Sequence, residues 1–200
     1  MKNRNYMTQF VFFRRRKLVN LWEERLEVGM AEKVKKDAAK GVSEKLRVGW
    51  REWAALPSLG IPAIKMKIDT GANTSALHAK EVEIFTRNRK KYVRFIVNPR
   101  QRDDKLAFKC VAPLVSRTRV RSSNGQMEER FTIMTPMVVG GRKWDIELTL
   151  TNRDIMNYRM LLGRKAMKDF IIDPAKSYRQ GSFTPKDIDK IYKPLTKFAR

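Results

Sequence analysis

The stretch Ile61-Pro62-Ala63-Ile64-Lys65-Met66-Lys67-Ile68-Asp69-Thr70-Gly71-Ala72 decides how the chain is read. Ile64, Met66 and Ile68 alternate with Lys65, Lys67 and Asp69, the period-two pattern of a strand with one apolar face. Thr70-Gly71 breaks the pattern, so Asp69 leaves the strand end on the face opposite the apolar residues. An Asp-Thr-Gly turn carries one carboxylate and one hydroxyl. The same three residues are also ordinary turn formers, so the triplet alone fits a plain turn as well as a site.

Upstream, Val48, Trp50, Trp53 and Ala55 lead to Leu56-Pro57-Ser58-Leu59-Gly60, whose Pro and Gly mark a turn between two strands. Downstream, Tyr92 to Val97 reads as a strand and Asn98 to Lys105 as a polar loop. Thr118 to Ser123 faces Gln126 to Met134 across Asn124-Gly125, which predicts a long hairpin closed by a two-residue type I′ turn. After Gly140-Gly141, the residues Trp144, Ile146, Leu148 and Leu150 alternate with Asp145, Glu147 and Thr149 as a half-buried strand. Met160-Leu161-Leu162 is a short apolar run ending at Gly163-Arg164, then come one helical turn and a strand at Phe170-Ile171-Ile172. Thr184-Pro185 predicts the N-cap and first position of a short helix through Tyr192, stopped by Pro194.

Before this β-rich region, Leu18, Trp22, Leu26, Met30 and Val34 recur every fourth residue, predicting an amphipathic helix that packs on the domain, on a second copy or on a membrane surface. The division expected is a basic helical extension over 1–45, a β domain over 46–178 and a basic tail with a short helix over 179–200.

Composition narrows the chemistry. Lys and Arg number 44 against 21 acidic residues, a net charge of +23 spread over all three parts. Such a surface either aids solubility or attracts polyanions, including RNA, anionic lipid and acidic protein. One cysteine (Cys110) and one histidine (His78) allow no intrachain disulfide and no Cys- or His-rich zinc site. No GxxxxGK[ST] occurs, and no apolar run is long enough to span a bilayer. The Phe10 to Phe13 run precedes Arg14 to Lys17, the reverse of a signal peptide, so a cytoplasmic setting is expected. His78 reads as a surface or core histidine. Alternation and an Asn-Arg-Asp turn account for Asp145, Glu147 and Asp154 without a metal.

An apolar strand ending in Asp-Thr-Gly-Ala, then a long hairpin, then Leu161-Leu162-Gly163-Arg164, is the order of elements in single-domain retropepsin-like aspartic proteases. Together with Gly49-Trp50-Arg51-Glu52-Trp53, Thr74 to Ala79, Ser122 to Gly125 and Glu147 to Gly163, it resembles the retropepsin-like bacterial aspartic endopeptidase family, also labelled an ATP-dependent zinc protease. The resemblance covers about residues 48–178. It implies a mainly β, closed acid-protease barrel with one short helix. It implies an aspartic endopeptidase in which Asp69 and Asp69′ of a homodimer share a proton and activate water. Thr70 would then lock the paired loops, Gly71 would admit the substrate backbone, and Ala72, Leu161, Leu162, Gly163 and Arg164 would support the catalytic loop. Ser122, Ser123, Asn124 and Gly125 would form a flap.

The family often accompanies ligases that add glutamate to proteins, so a peptide or protein substrate of acidic character is expected. From the residues, neither zinc nor ATP finds a ligand set, and no metal and no cofactor are expected. A non-catalytic basic module holding RNA, a ribosome or an acidic protein is the alternative of different class.

Overall fold

A computed structural model describes residues 45–101, 106–121, 127–152 and 157–195. The proposed N-terminal helix and the hairpin tip Ser122 to Gly125 lie outside them. Among the described residues eleven strands run in chain order: β1 Leu46–Gly49, β2 Arg51–Leu56, β3 Ile61–Ile68, β4 Ser75–His78, β5 Lys80–Arg87, β6 Lys90–Val97, β7 Phe108–Arg121, β8 Met127–Val139, β9 Arg142–Thr151, β10 Met160–Leu162 and β11 Phe170–Asp173. One α-helix among the described residues, α1, spans Pro185–Tyr192.

Six strands close on themselves. The neighbours run β2-β3-β10-β4-β9-β8, and a β2–β8 pairing at Ala55 and Val138 completes the ring. A barrel of this kind leaves no open edge within the ring. It is filled by the apolar positions that alternate along the strands: Ile64, Met66, Leu77, Ile133, Leu148, Leu150, Met160 and Leu162 are all fully or almost fully buried. Burying each such side chain contributes about 1.5–3 kcal/mol.

β7 serves two sheets. Residues 108–113 pair with β6 and residues 114–121 with β8, so Pro113 sits where the strand passes from one partner to the other, a place that tolerates a missing ladder N–H. The first half of β7 with β6 and β5 forms a three-stranded flange outside the barrel. Its β5–β6 hairpin turns on Asn88 and Arg89, with φ of 49° and 60°, the signature of a two-residue type I′ turn between Arg87 and Lys90. The sequence contains no glycine there, and the hairpin was not expected from it.

The β7–β8 hairpin is present, but its register differs from the expectation. Arg121 pairs with Met127, Val120 with Glu128 and Thr118 with Arg130. A two-residue turn at Asn124-Gly125 would bring Ser123 opposite Gln126, one residue out of step with these pairs.

Residues 179–195 pack on the barrel. Glu52 of β2 is completely buried, and its carboxylate accepts from the N–H groups of Gly49 (2.7 Å), Arg179 (2.8 Å) and Gln180 (3.2 Å). A buried carboxylate is tolerable only with such partners. Gly49 is required here: a Cβ on it would lie 2.3 Å from the Lys176 carbonyl oxygen. Beyond this clasp, Thr184 caps α1. Its hydroxyl accepts from the Asp187 N–H, and the Asp187 carboxylate accepts from the Thr184 N–H and hydroxyl, which holds that carboxyl below its ordinary range. At the other end Tyr192 is buried, its hydroxyl donating to the Ala63 carbonyl and its ring tilted against Phe108 at 5.8 Å. Burial pushes the Tyr192 phenol well above its ordinary value.

Candidate active site: the Asp69 loop and its groove

β3 and β10 run parallel, with Leu161 opposite Lys67 and Leu162 opposite Ile68, while β10 also pairs antiparallel with β4 through Met160–Leu77 and Leu161–Ala76. The two ends of the Asp69 to Thr74 loop therefore flank one short strand. The segment that follows that strand stitches the loop down. Asp69 N–H donates to the Leu162 carbonyl (2.9 Å), Arg164 N–H to Ala72 (2.9 Å) and Lys165 N–H to Asn73 (3.1 Å). Gly163 N–H donates to the Ser75 hydroxyl at 3.1 Å. Arg164 Nη1 then reaches over the loop and donates to the carbonyls of Thr70 (2.8 Å) and Gly71 (2.9 Å).

Within the loop, one oxygen of Asp69 accepts from the N–H groups of Gly71 (3.1 Å) and Ala72 (3.2 Å). This fixes the carboxylate against the turn and leaves its second oxygen, Oδ2, outside those two bonds. The carboxylate is half-buried, and Thr70 and Gly71 are exposed. A Cβ at Gly71 would stand 3.3 Å from that Asp69 oxygen. Asp69, Thr70, Gly71 and Ala72 are thus brought together with Leu162, Gly163 and Arg164, and Leu161 lies on the groove side of β10.

Arg164 is exposed, so its two bonds hold the loop more than they hold the fold. Arg164→Met is expected to leave the unfolding midpoint within about 2 °C, since an exposed substitution changes stability by about 0.5 kcal/mol or less. It is expected to slow turnover at the Asp69 site at least about tenfold, because a loop released by about an ångström loses its reactive geometry. Parallel thermal unfolding and activity measurements check both halves.

Asp69 stands at the margin of a groove of about 1070 Å³, running along the polar face of β3. Ala63, Lys65, Lys67 and Asp69, every second residue, form its floor. Trp50, between β1 and β2, and Trp53 of β2 line the groove, with Tyr158 edge-on to Trp50 at 6.0 Å and Phe183 edge-on to Trp53 at 5.3 Å. Arg100, Gln101, Ile188 and Asp189 also line it, and an Arg100–Asp189 ion pair at 2.7 Å joins the 98–101 loop to α1.

Arg51, opposite Lys67 in the β2–β3 register, lies 4.5 Å from the Trp50 ring and 4.9 Å from the Tyr178 ring. It donates to the Tyr158 hydroxyl at 3.2 Å, and that bond is the main cause holding the guanidinium proton more tightly than usual. The neighbouring Tyr178 phenol is raised by burial.

The aromatic lining, Arg100 and α1 were not among the residues expected at a site. Only the alternation of Lys65 and Lys67 with the core residues of β3 signalled the floor. His78 is buried in β4, and Asp145 and Glu147 lie along β9 away from the groove, Glu147 meeting Lys165 at 3.3 Å. Among the described residues, no group of three or more His, Cys, Asp or Glu is placed to hold a metal, and no helix is long and apolar enough to cross a membrane.

Curated relatives include proteins named probable alpha-L-glutamate ligase from Shewanella pealeana (42% identity over 149 residues, 74% of this chain and 32% of that protein). Others of that name come from Desulfotalea psychrophila (43% over 146 residues, 72% and 32%) and Parasynechococcus marenigrum (41% over 155 residues, 77% and 33%). The chain spans about a third of the length of these relatives.

Their name corrects the expected function and its hydrolase and protease description. An aspartic endopeptidase acting through an Asp69 pair across a homodimer is not what these relatives are named for; they are named for joining glutamate. The physical reason the sequence could not foresee it is that the Asp-Thr-Gly loop marks a fold and a carboxylate, and the reaction of a protein about three times as long is not written in one loop.

Among solved structures, a Legionella pneumophila protein of unknown function, Lpg0085, superposes with a TM-score of 0.58 at 25% identity, over 68% of this chain and 98% of that one. The family model described as retropepsin-like aspartic endopeptidase RimB matches residues 47–182, a span holding the barrel, the Asp69 loop and its Leu161 to Arg164 clasp. On that match this chain belongs to the RimB-like family of retropepsin-like proteins.

Proposed function

We propose that this chain is an enzyme unit working on α-linked glutamyl chains, with alpha-L-glutamate taken from its relatives' name, at the Asp69 end of the groove. The observation that carries the reading is the position of Asp69, held by the loop at the margin of a groove whose floor continues as Lys67 and Lys65. A glutamyl chain carries a carboxylate on every residue, and a chain of net charge +23 attracts it from a distance. The enzyme type, aspartic, follows the family's description, with Asp69 as the acid and Thr70 and Gly71 shaping its loop. Where the expectation was an aspartic endopeptidase acting on a peptide or protein of acidic character, the task proposed here is confined to glutamyl chains, and ligation stays with the relatives' name. A homodimer and a cytoplasmic setting belong to the same reading, and sedimentation of the purified chain checks the first.

Purified chain incubated with α-linked hexaglutamate, γ-linked hexaglutamate and hexaglutamine tests this, with the length distribution of each read by mass spectrometry. The α-linked glutamate chain should change at least about tenfold faster than the other two, since a site built for one set of polar groups discriminates by about 10–100-fold or more. Equal rates on all three, or no change in the α-linked chain, would sink the reading.

A further inference from the structure

We infer that Lys65 and Lys67 form a two-point reader that grips alternate carboxylates of an extended acidic chain lying over β3 and feeding towards Asp69. This inference rests on the proposed substrate class and adds the residues that select it.

The argument is one of spacing. Residues two apart on a strand lie about 6.7 Å apart on the same face. An extended peptide repeats its own side chains at the same interval. Two ammonium groups on one strand face therefore match residues i and i+2 of a chain laid along that strand, while carboxylates on adjacent residues point to opposite sides and cannot both reach.

Charge and packing agree with the spacing. The groove's acids are Asp69 and Asp189, and Asp189 is taken by Arg100 at 2.7 Å. Among the described residues no carboxylate forms an ion pair with Lys65 or Lys67. Lys65 is held in place, its ammonium 5.2 Å from the Trp53 ring, and that ring is itself fixed between Phe183 and Tyr178. Lys67 is exposed, and the cation opposite it in the sheet, Arg51, is engaged by Tyr158, Trp50 and Tyr178. Lys67 thus stands two residues from Asp69 on the same floor.

Binding is measured directly, by calorimetry at low salt. The probes are α-linked hexaglutamate and two hexapeptides of Gln and Glu, one with its two Glu residues separated by one Gln and one with them adjacent. Lys65→Gln/Lys67→Gln should weaken hexaglutamate binding about tenfold, the loss expected when two charged contacts go. Lys90→Gln/Lys91→Gln, which removes the same charge at the β5–β6 turn, should change it less than about twofold. Wild-type chain should prefer the separated peptide to the adjacent one by at least about threefold, and the groove variant should lose that preference.

Equal weakening by both double variants would overturn the inference and leave the proposed substrate class standing, because the whole surface field would then be the reader. So would equal affinity for the two hexapeptides. Failure of the wild-type chain to bind hexaglutamate at all would overturn both. Melting curves of each variant confirm that the fold is intact, which the exposed or half-buried positions of all four lysines favour.

Discussion

Glu52→Ala should lower the stability of the chain by about 3–5 kcal/mol, because it strands three N–H groups, the buried one of Gly49 and the part-buried ones of Arg179 and Gln180, at about 1–3 kcal/mol for a buried group and less for the other two, and empties a fully buried side-chain site. For a chain of this size the unfolding midpoint should fall by about 10 °C. The effect should also reach the groove. Residues 176–183 are tied to β2 through this carboxylate and through the Trp50 and Tyr178 backbone N–H groups, which donate to Lys176 and Arg51 at 2.9 Å each. Loosening them withdraws Phe183 from Trp53. Glu52→Gln keeps one carbonyl oxygen and should cost about half as much. Thermal unfolding followed by circular dichroism decides the matter, and a midpoint within 2 °C of wild type for Glu52→Ala would show that the clasp does not hold this segment.

Gly163→Ala is the second large effect. A Cβ there would lie 2.5 Å from both the carbonyl carbon and the oxygen of Thr74, and 2.9 Å from its nitrogen. These atoms are backbone, pinned on one side by β4 and on the other by the bonds from Arg164 and Lys165, so they cannot swing aside as a side-chain tip would. Overpacking of this kind costs about 1–3 kcal/mol. It also pushes the Asp69 loop away from β10, so turnover should fall further than stability alone explains, by at least about a hundredfold where positioning governs the rate. A variant with a lowered midpoint and unimpaired turnover would mean that the Gly163–Thr74 contact has no part in placing Asp69.

Much of the barrel was legible because its strands follow the simplest pattern available. The apolar alternation of β3 and β9, the Pro57 and Gly60 turn, and the Thr184-Pro185 start of α1 each signal locally, and each element stands where its residues indicate. The β5–β6 flange was missed because its turn uses Asn88 and Arg89 at positive φ where glycine would have announced it. β7 was read too short, since Pro113 argues against a strand unless one knows that β7 changes partners there.

The loop and its clasp were expected together only through a family resemblance. Nothing local to Arg164 says that its guanidinium crosses to Thr70 and Gly71, ninety-four and ninety-three residues away. The groove was illegible for the same reason: Trp50, Tyr158 and Phe183 meet only after β2, β10 and the C-terminal segment have packed. Function was the least legible part: the relatives' glutamate-ligase name overturned the expected aspartic endopeptidase of acidic peptides, and glutamyl chains entered only as the proposal.

The most direct test of the account is the conversion of α-linked hexaglutamate by wild-type chain and by Asp69→Asn. Asn keeps the size of the side chain and an oxygen that can accept from Gly71 and Ala72, so the loop should stay in place while the acid is lost. The account predicts that Asp69→Asn binds the peptide within about threefold of wild type and converts it at least about a thousandfold more slowly, in the range expected when a group acting in the reaction is removed. Equal conversion by the two proteins would contradict it, because the groove would then lead to some other reactive group.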